Sequence, residues 1–188
     1  MPGFIAKKLG MTRVLTDNGE FVAATVLDVS GNSVSQVKNT EKDKVAAIVI
    51  ERPVAKRGLS IRKKQFTIAP ESVFEKGQDI SAALAKEVEF VRISGISKGK
   101  GFQGVIKRHN FHGMPGSHGA KYRRAPGSIG TRKPTRTMRG RKLPGHMGSD
   151  TITLKKVPVL DLDISKSLLV VRGPVPGSIN SIVYITLL

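Results

Sequence analysis

Cysteine is absent from this chain of 188 residues. Its absence excludes a disulfide framework, a zinc site built from thiolates and a cysteine nucleophile. Long apolar runs are also absent, since none approaches the roughly 20 residues that a membrane-spanning helix needs. The opening residues, Met1 to Lys8, lack the apolar stretch of a signal peptide and the Arg- and Ser-rich character of a transit peptide. We therefore expect a soluble, intracellular protein with no membrane partner.

Acidic residues are scarce, and one long part of the chain has none. The sixty residues from Phe90 to Ser149 contain no Asp or Glu, but they carry 14 of the 32 Lys and Arg, all four His and 12 of the 20 Gly. Such residues repel one another and offer few apolar side chains, so we expect that their own contacts cannot hold them folded. Nucleic acid is the partner that this charge pattern predicts.

The remaining 128 residues, 1–89 and 150–188, are nearly balanced in charge. They hold 18 basic and all 14 acidic residues, so they contribute only +4 to the formal net charge of +18. A segment of this length is large enough to bury a hydrophobic core. We therefore expect one globular body that carries a single, strongly basic excursion.

Apolar patterning predicts a mainly β body. Phe21–Val29 is rich in β-branched residues, and Val45–Ile50 is a short continuous apolar run typical of a buried strand. Over Leu160–Ile164 leucine and isoleucine alternate with aspartate, which suits a half-exposed strand. Leu168–Val171 and Ile182–Leu188 predict two more strands. Several short strands separated by turns indicate a barrel or a sandwich.

Little helix is predicted. Pro70–Lys76 is compatible with about two helical turns, whereas Ser81–Lys86 fits helix and strand equally well. Arg52–Lys64 is basic and has no clear periodicity, so we interpret it as a loop.

The predicted strands stop near Ile96 and resume near Thr151. We therefore expect a β body made of residues 1–96 and 150–188. A long, irregular basic extension, residues 97–149, is inserted between its strands and is tethered at both ends.

Two patterns in the extension resemble catalytic or metal sites. Gly99–Gly104 matches the G-x-G-x-x-G pattern, but a Rossmann site also needs a long helix and an acidic residue about 20 positions on, and no acid occurs before Asp150. His109 and His112 have the i, i+3 spacing of helical metal ligands, but their segment is a poor helix among many cations. Nuclease or kinase chemistry would need carboxylates to hold metal. We expect no metal, no cofactor, no small-molecule substrate and no enzymatic activity.

Recognition of a nucleic-acid backbone explains the extension better. Arg binds phosphate oxygens through two parallel hydrogen bonds, and Lys acts as a point charge. The candidate RNA-binding side chains are thirteen cations and three histidines: Lys98, Lys100, Lys107, Arg108, His109, His118, Lys121, Arg123, Arg124, Arg132, Lys133, Arg136, Arg139, Arg141, Lys142 and His146.

Glycines and aromatic residues complete the predicted interface. Glycine lets main-chain N–H groups approach phosphates without an intervening Cβ, and aromatic rings can stack on bases or anchor the extension to the body. The candidates for backbone approach are Gly99, Gly101, Gly104, Gly127 and Gly130, and those for stacking are Phe102, Phe111 and Tyr122. RNA is favoured over DNA because the chain has no helix-turn-helix, basic zipper or zinc-finger pattern.

Several motifs resemble one family. Gly3–Arg13 resembles the opening of universal ribosomal protein three of the large subunit in its bacterial form, and Ser97–Arg108 resembles the start of that family's central extension. Further motifs follow in the family's order, at Asn110-Phe111, Ser117–Gly119, Arg124–Gly130, Gly145–Gly148 and Gly173–Gly177. The resemblance covers nearly the whole chain.

The resemblance implies a β-barrel body of the translation-protein type and an extension that reaches through large-subunit rRNA toward the peptidyl transferase centre. It implies a role in early subunit assembly, in the cytoplasm, with large-subunit rRNA and neighbouring large-subunit proteins as partners. The tip would be about Gly127–Arg136, with Arg124, Arg132 and Arg136 as phosphate or base contacts. Family members often carry Trp at the position of His109 and a methylated Gln near the tip, a modification that the residues present here do not predict.

Two other functions remain open. A general RNA chaperone or nucleic-acid architectural protein would bind promiscuously and have no unique site. An RNA-modifying enzyme with a basic substrate arm would need a cofactor pocket in the body, and the body shows no motif for one.

Overall fold

Strands form most of the regular structure in the computed structural model, which describes residues 2–16, 19–54, 60–68, 74–133 and 135–188. The strands within these residues are β1 (Gly3–Leu15), β2 (Phe21–Asp28), β3 (Ser33–Lys38), β4 (Ala47–Pro53), β5 (Ile61–Thr67), β6 (Phe90–Ile96), β7 (Gly101–Gln103), β8 (Gly145–Met147), β9 (Thr151–Asp163), β10 (Leu168–Arg172) and β11 (Ile182–Leu187). The helices are α1 (Thr40–Asp43), a 3₁₀ helix (Ala82–Ala85) and α2 (Val105–His109). The predicted mainly β class is confirmed.

Contacts divide the chain into two compact units. The β unit comprises Met1–Ser97 and Thr151–Leu188, and the basic unit comprises Lys98–Asp150. No helix in the described part of the chain is long and apolar enough to cross a membrane.

Six strands of the β unit pair as one closed ring in the order β1, β11, β6, β9, β10, β2. β1 takes part in two pairings, because its first half pairs with β11 and its remainder pairs with β2. A bulge between Lys8 and Gly10 marks the change of partner. Every pairing in the ring is antiparallel.

The inward faces of the ring strands supply much of the hydrophobic core. Ile93 of β6 pairs with Ile185 of β11, and both are fully buried, as are Phe4, Leu27 and Leu169. Burying a side chain of this size stabilises the fold by about 1.5–3 kcal/mol. The outward positions alternate with these, as the two-residue period of a strand requires.

A three-stranded sheet, β3-β4-β5, packs into the same core through Ile48 and Ile50, which are fully buried. Arg52 of β4 joins this sheet to the ring. Its Nη1 donates to the carbonyls of Ile5 (3.0 Å) and Asp28 (2.6 Å), and its Nη2 lies 2.7 Å from Asp28 Oδ2.

All five strands predicted from apolar patterning are confirmed, as β2, β4, β9, β10 and β11. The end of strand structure at Ile96 and its return at Thr151 in the β unit are also as predicted.

The loop predicted over Arg52–Lys64 is wrong at both ends. Arg52 and Pro53 complete β4, and Ile61–Lys64 begin β5, which pairs with β4 from Ala47↔Thr67 to Pro53↔Ile61. Residues 55–59 lie outside the described part. β5 gave no apolar period because, as an edge strand, it exposes every residue except Phe66.

The two segments considered for helix have different outcomes. Of the helix predicted over Pro70–Lys76, residues 70–73 lie outside the described part, and residues 74–76 are not helical. Ser81–Lys86, which fitted helix and strand equally, contains the 3₁₀ helix, and the Ser81 hydroxyl accepts a hydrogen bond from the Ala83 N–H at 3.3 Å.

Candidate nucleic-acid interface

A two-stranded ribbon joins the two ends of the basic unit. β7 and β8 are antiparallel, and Phe102 lies opposite His146 at the centre of the ribbon. The Lys100 N–H donates a further hydrogen bond, 2.9 Å long, to the carbonyl of Met147. The ribbon thus brings residues that are far apart in sequence onto one piece of structure.

Gly148 allows the chain segments beside the ribbon to approach closely. Gly148 has φ +79°, and a Cβ there would lie 2.1 Å from the carbonyl oxygen of Lys98. A Cβ on Gly99 would lie 2.9 Å from Ser149 Oγ. The Ser149 hydroxyl can rotate away, so this distance does not require glycine at position 99, which was predicted to bring backbone close to RNA.

Helix α2 follows the ribbon and ends in a cluster of basic residues. Lys107, Arg108 and His109 occupy its last turn, where the partial negative charge of the helix C-terminus favours cations. Asn110 ends the helix in the left-handed conformation, with φ 57°, which Asn tolerates better than most residues.

The basic end of α2 is bound to the segment that leads into β8. Arg108 Nη1 donates to the carbonyl of Leu143 at 2.6 Å, and His109 Nε2 lies 3.1 Å from the same oxygen. Gly145 makes room for the guanidinium, since a Cβ there would lie 2.8 Å from Arg108 Nη1. Arg108 and His109, both predicted as RNA-binding residues, thus also stabilise the basic unit.

The ribbon, α2 and this connection are held by contacts within the basic unit. Whether these contacts alone can hold the segment folded is not tested by them, so the expectation that they cannot stays a prediction. Between Asn110 and Pro144 the described residues form no helix or strand. A few bonds join distant parts of this stretch, such as that from the Met114 N–H to the carbonyl of Arg123, 3.1 Å long.

Nearly all of the predicted cations point into solvent. Arg108 is partly buried, and twelve others are exposed: Lys98, Lys100, Lys107, Lys121, Arg123, Arg124, Arg132, Lys133, Arg136, Arg139, Arg141 and Lys142. His118 and His146 are exposed as well, whereas His109 is partly buried. Because residues 98–149 contain no carboxylate, mutual repulsion along this segment is not neutralised from within it.

The three predicted stacking residues have different surroundings. Phe102 and Tyr122 are 75% and 69% exposed, so their faces are open to a partner. Phe111 is partly buried, and its ring centre lies 6.1 Å from that of His109, with 44° between the ring planes. Phe111 therefore packs within the basic unit, while Phe102 and Tyr122 are available for stacking.

Four of the predicted glycines have open space around them. Cβ atoms on Gly101, Gly104, Gly127 and Gly130 would meet nothing within 4 Å. Gly101 and Gly127 also have positive φ, +67° and +78°, which side chains other than glycine rarely adopt. The backbone at these positions is accessible to a phosphate.

The histidines do not gather into a metal site. Among the residues that the structure describes, no group of three or more His, Cys, Asp or Glu side chains could hold a metal ion. His109 contacts the Leu143 carbonyl, and His146 lies opposite Phe102 in the ribbon.

The sequence did not reveal the ribbon or the pairing of Phe102 with His146. β7 and β8 are three residues long and each begins with glycine, so neither has the length or the branched side chains that predict a strand. Each needs the other in order to form, and their pairing register is a property of the fold.

Comparisons with known proteins all indicate one family. The family described as ribosomal protein L3 matches residues 20–163. The chain is 38% identical to the large ribosomal subunit protein uL3 of Brevibacillus brevis, over 98% of this chain and 96% of that protein. It is 38% identical to the protein of the same name from Oceanobacillus iheyensis, over 98% and 96% of the two chains. It is 37% identical to that from Brachyspira hyodysenteriae, over 99% and 94%.

Proposed function

The chain belongs to the ribosomal protein L3 family, and from this premise we propose that it is a structural component of the large ribosomal subunit and not an enzyme. It acts in the cytoplasm, within the ribosome. Its partners are large-subunit rRNA and other proteins of the subunit.

Exposure of the cations in the basic unit is the observation that carries this proposal. Twelve Lys and Arg side chains face solvent within residues 98–149, which contain no carboxylate. Phosphates supply the missing negative charge, and counterions released from the RNA favour binding. An acidic protein surface would offer fewer and less regular charges than folded RNA does.

The residues of the interface divide by role. The exposed Lys and Arg bind phosphates, and Gly101, Gly104, Gly127 and Gly130 let the backbone approach them. Phe102 and Tyr122 stack on unpaired bases, with His146 beside Phe102 on the ribbon. Arg108 and His109 hold the unit in shape as well as adding charge.

The position of the tip follows from the family motifs. Gly127–Arg136 is the part of the extension that reaches toward the peptidyl transferase centre, with Arg124, Arg132 and Arg136 as its contacts. We assign the body to residues 1–96 and 150–188 and the rRNA-binding extension to residues 97–149. Early entry into subunit assembly follows if the extension must be enclosed while the RNA folds around it.

Ultraviolet cross-linking in cells, followed by sequencing of the attached RNA, tests this function. We expect reads at a few large-subunit rRNA sites, some of them near the peptidyl transferase centre. A variant with Arg132→Gln, Lys133→Gln and Arg136→Gln serves as the internal control. It should lose the reads near that centre and keep the others.

Reads scattered over messenger RNA would contradict the proposal and favour a general RNA chaperone. Reads recovered mainly from DNA would favour an architectural protein of the chromosome. Modified nucleotides that depend on the chain would instead indicate an RNA-modifying enzyme.

A further inference from the structure

A β-bulge on the β unit places three cations side by side. Val91 of β6 pairs with Val157 of β9, but Ile93 pairs with Leu154, so Lys155 and Lys156 together lie opposite Arg92. All three side chains are exposed. Bulges of this kind redirect side chains and interrupt the regular ladder.

A fourth cation, Lys64 of β5, belongs to the same surface. Its Nζ lies 5.3 Å from the centre of the Tyr184 ring on β11. An open cleft of about 340 Å³ is lined by Lys64, Arg92 and Thr186, among others. Thr186 is the partner of Arg92 across the β11–β6 pair. We call Lys64, Arg92, Lys155 and Lys156 the cationic face.

Within the described part of the chain, no member of the cationic face forms an ion pair or a side-chain hydrogen bond. The β unit contains 13 Asp and Glu side chains, so acidic partners are available in its sequence. Other basic residues of this unit do find them, since Lys63 pairs with Glu51 at 3.0 Å and Lys166 lies 3.8 Å from Asp163.

The arrangement is unfavourable for the chain alone. Like charges opposite one another on neighbouring strands destabilise a sheet. Phe90 offsets part of this, because Lys156 Nζ lies 3.9 Å from its ring centre, but the ring carries no net charge. No Asp or Glu side chain of the described residues lies within ion-pair distance of the cationic face.

We propose that the cationic face is a second RNA-binding site, which holds the phosphate backbone of large-subunit rRNA independently of the basic unit. This inference rests on the proposed function. Arg92 and the paired lysines bind adjacent phosphates across the bulge, and Lys64 binds at the cleft beside them. Two sites on one chain, joined by a tethered segment, raise the overall affinity beyond that of either.

Matched triple variants of the full chain test the site. The first variant carries Arg92→Gln, Lys155→Gln and Lys156→Gln. The control carries Arg13→Gln, Lys44→Gln and Lys166→Gln, which removes one Arg and two Lys from exposed positions outside the cationic face. The probe is bacterial large-subunit rRNA transcribed in vitro, and its Kd is measured over a range of salt concentrations.

We expect the slope of log K against log salt to become shallower by about 2 to 3 in the first variant and to change little in the control. Thermal unfolding of both variants checks that the fold is retained. Equal slopes for the two variants would overturn the inference while leaving the proposed function intact. Failure of the unaltered chain to prefer this rRNA over unrelated RNA would overturn both.

Acylation of lysines in the unaltered chain gives a second readout that needs no substitution. Mass spectrometry should show Lys64, Lys155 and Lys156 protected when the rRNA transcript is bound, with Lys44 and Lys166 still modified. Protection that appears only in assembled subunits, and never with the transcript alone, would assign the face to an acidic protein partner and overturn the RNA site.

Discussion

Arg52 brings a permanent positive charge into the interior of the β unit, where it is 6% exposed. A buried charge without partners is strongly destabilising. Two main-chain carbonyls and the Asp28 carboxylate receive its hydrogen bonds. Burial alone would raise the pKa of Asp28, but hydrogen bonds from Ser30 and the charge of Arg52 outweigh it, so the pKa lies below 3.8. Asp28 therefore stabilises the fold in its charged form.

Asp28→Asn should destabilise the chain by about 2 kcal/mol at about pH 7, because it weakens a hydrogen bond between charged groups. A lowered pKa gives stability that is present above the unfolded value of 3.8 and is lost as the pH falls through the folded value. The difference between the variant and the unaltered chain should therefore shrink below that pH. Urea unfolding in neutral and acidic buffers measures it.

Asp43→Asn is the matched control, since Asp43 is exposed at the end of α1. Its effect should stay within about 0.5 kcal/mol at either pH. A constant penalty for Asp28→Asn in neutral and acidic buffers would show that the carboxylate charge is not what stabilises the contact.

Helix α2 shows how neighbouring cations acquire different roles. Lys107 is exposed, whereas Arg108 lies partly buried against the Leu143 carbonyl. The sequence alone placed both in one set of RNA-binding residues, because charge was their only visible property. Their difference depends on which side of a five-residue helix faces the segment before β8.

Arg108→Gln should speed amide exchange of the Lys100 N–H and of the N–H at position 108 about tenfold, since a charge-assisted hydrogen bond worth about 1.4 kcal/mol is lost between α2 and the segment before β8. Lys107→Gln should leave exchange unchanged and make the salt slope of rRNA binding shallower by about 1. Hydrogen exchange followed by NMR, together with salt titration of rRNA binding, separates the structural effect of Arg108 from the electrostatic effect of Lys107. Identical exchange rates in both variants would argue against a structural role for Arg108.

Burial of one strand face explains which strands could be predicted from the sequence. β2 and β10 bury one face in the core, so their branched apolar residues are visible in the sequence. β5 buries only Phe66 and reads as a basic loop, while β7 and β8 are too short to have a pattern. An apolar period in the sequence reflects burial of one face of a strand. Strands held mainly by main-chain pairing therefore show little apolar periodicity.

For the candidate interface, the sequence supplied the composition but not the arrangement. The charged segment followed from the distribution of acidic residues, and its predicted bounds followed from where the predicted strands stop and resume. The pairing of Phe102 with His146 and the grouping of Lys155 and Lys156 opposite Arg92 required the strand register. In the sequence, Lys155 and Lys156 are two lysines near the start of a predicted strand, with no sign that an arginine lies beside them.

The division into two units predicts that the tip and the body can be separated experimentally. The closed ring and its core consist of β-unit residues, and Gly127–Arg136 belongs to the basic unit. Replacing Gly127–Arg136 with a short Gly-Ser linker should therefore shift the Tm of the β unit by less than about 2 °C, because shortening a surface loop changes its closure entropy only slightly. The same replacement should lower the yield of active large subunits in cells that have no other copy.

Sucrose-gradient sedimentation and translation assays measure that yield, and calorimetry measures the Tm. A full-length variant with Arg132→Gln, Lys133→Gln and Arg136→Gln distinguishes loss of charge from loss of length. Normal subunit yield after the replacement would show that the tip is dispensable.

Pairing of β1 with β11 makes closure of the ring a late event in synthesis. β1 is translated before the other strands of the ring, whereas its partner comprises residues Ile182–Leu187. Residues 98–150 leave the exit tunnel before β9, β10 and β11, which supply three of the six ring strands. A nascent chain thus presents its cationic segment while β1, β2 and β6 still have unpaired edges, which promote aggregation. Early capture of that segment by a polyanion would keep unfinished chains apart until the last strand arrives.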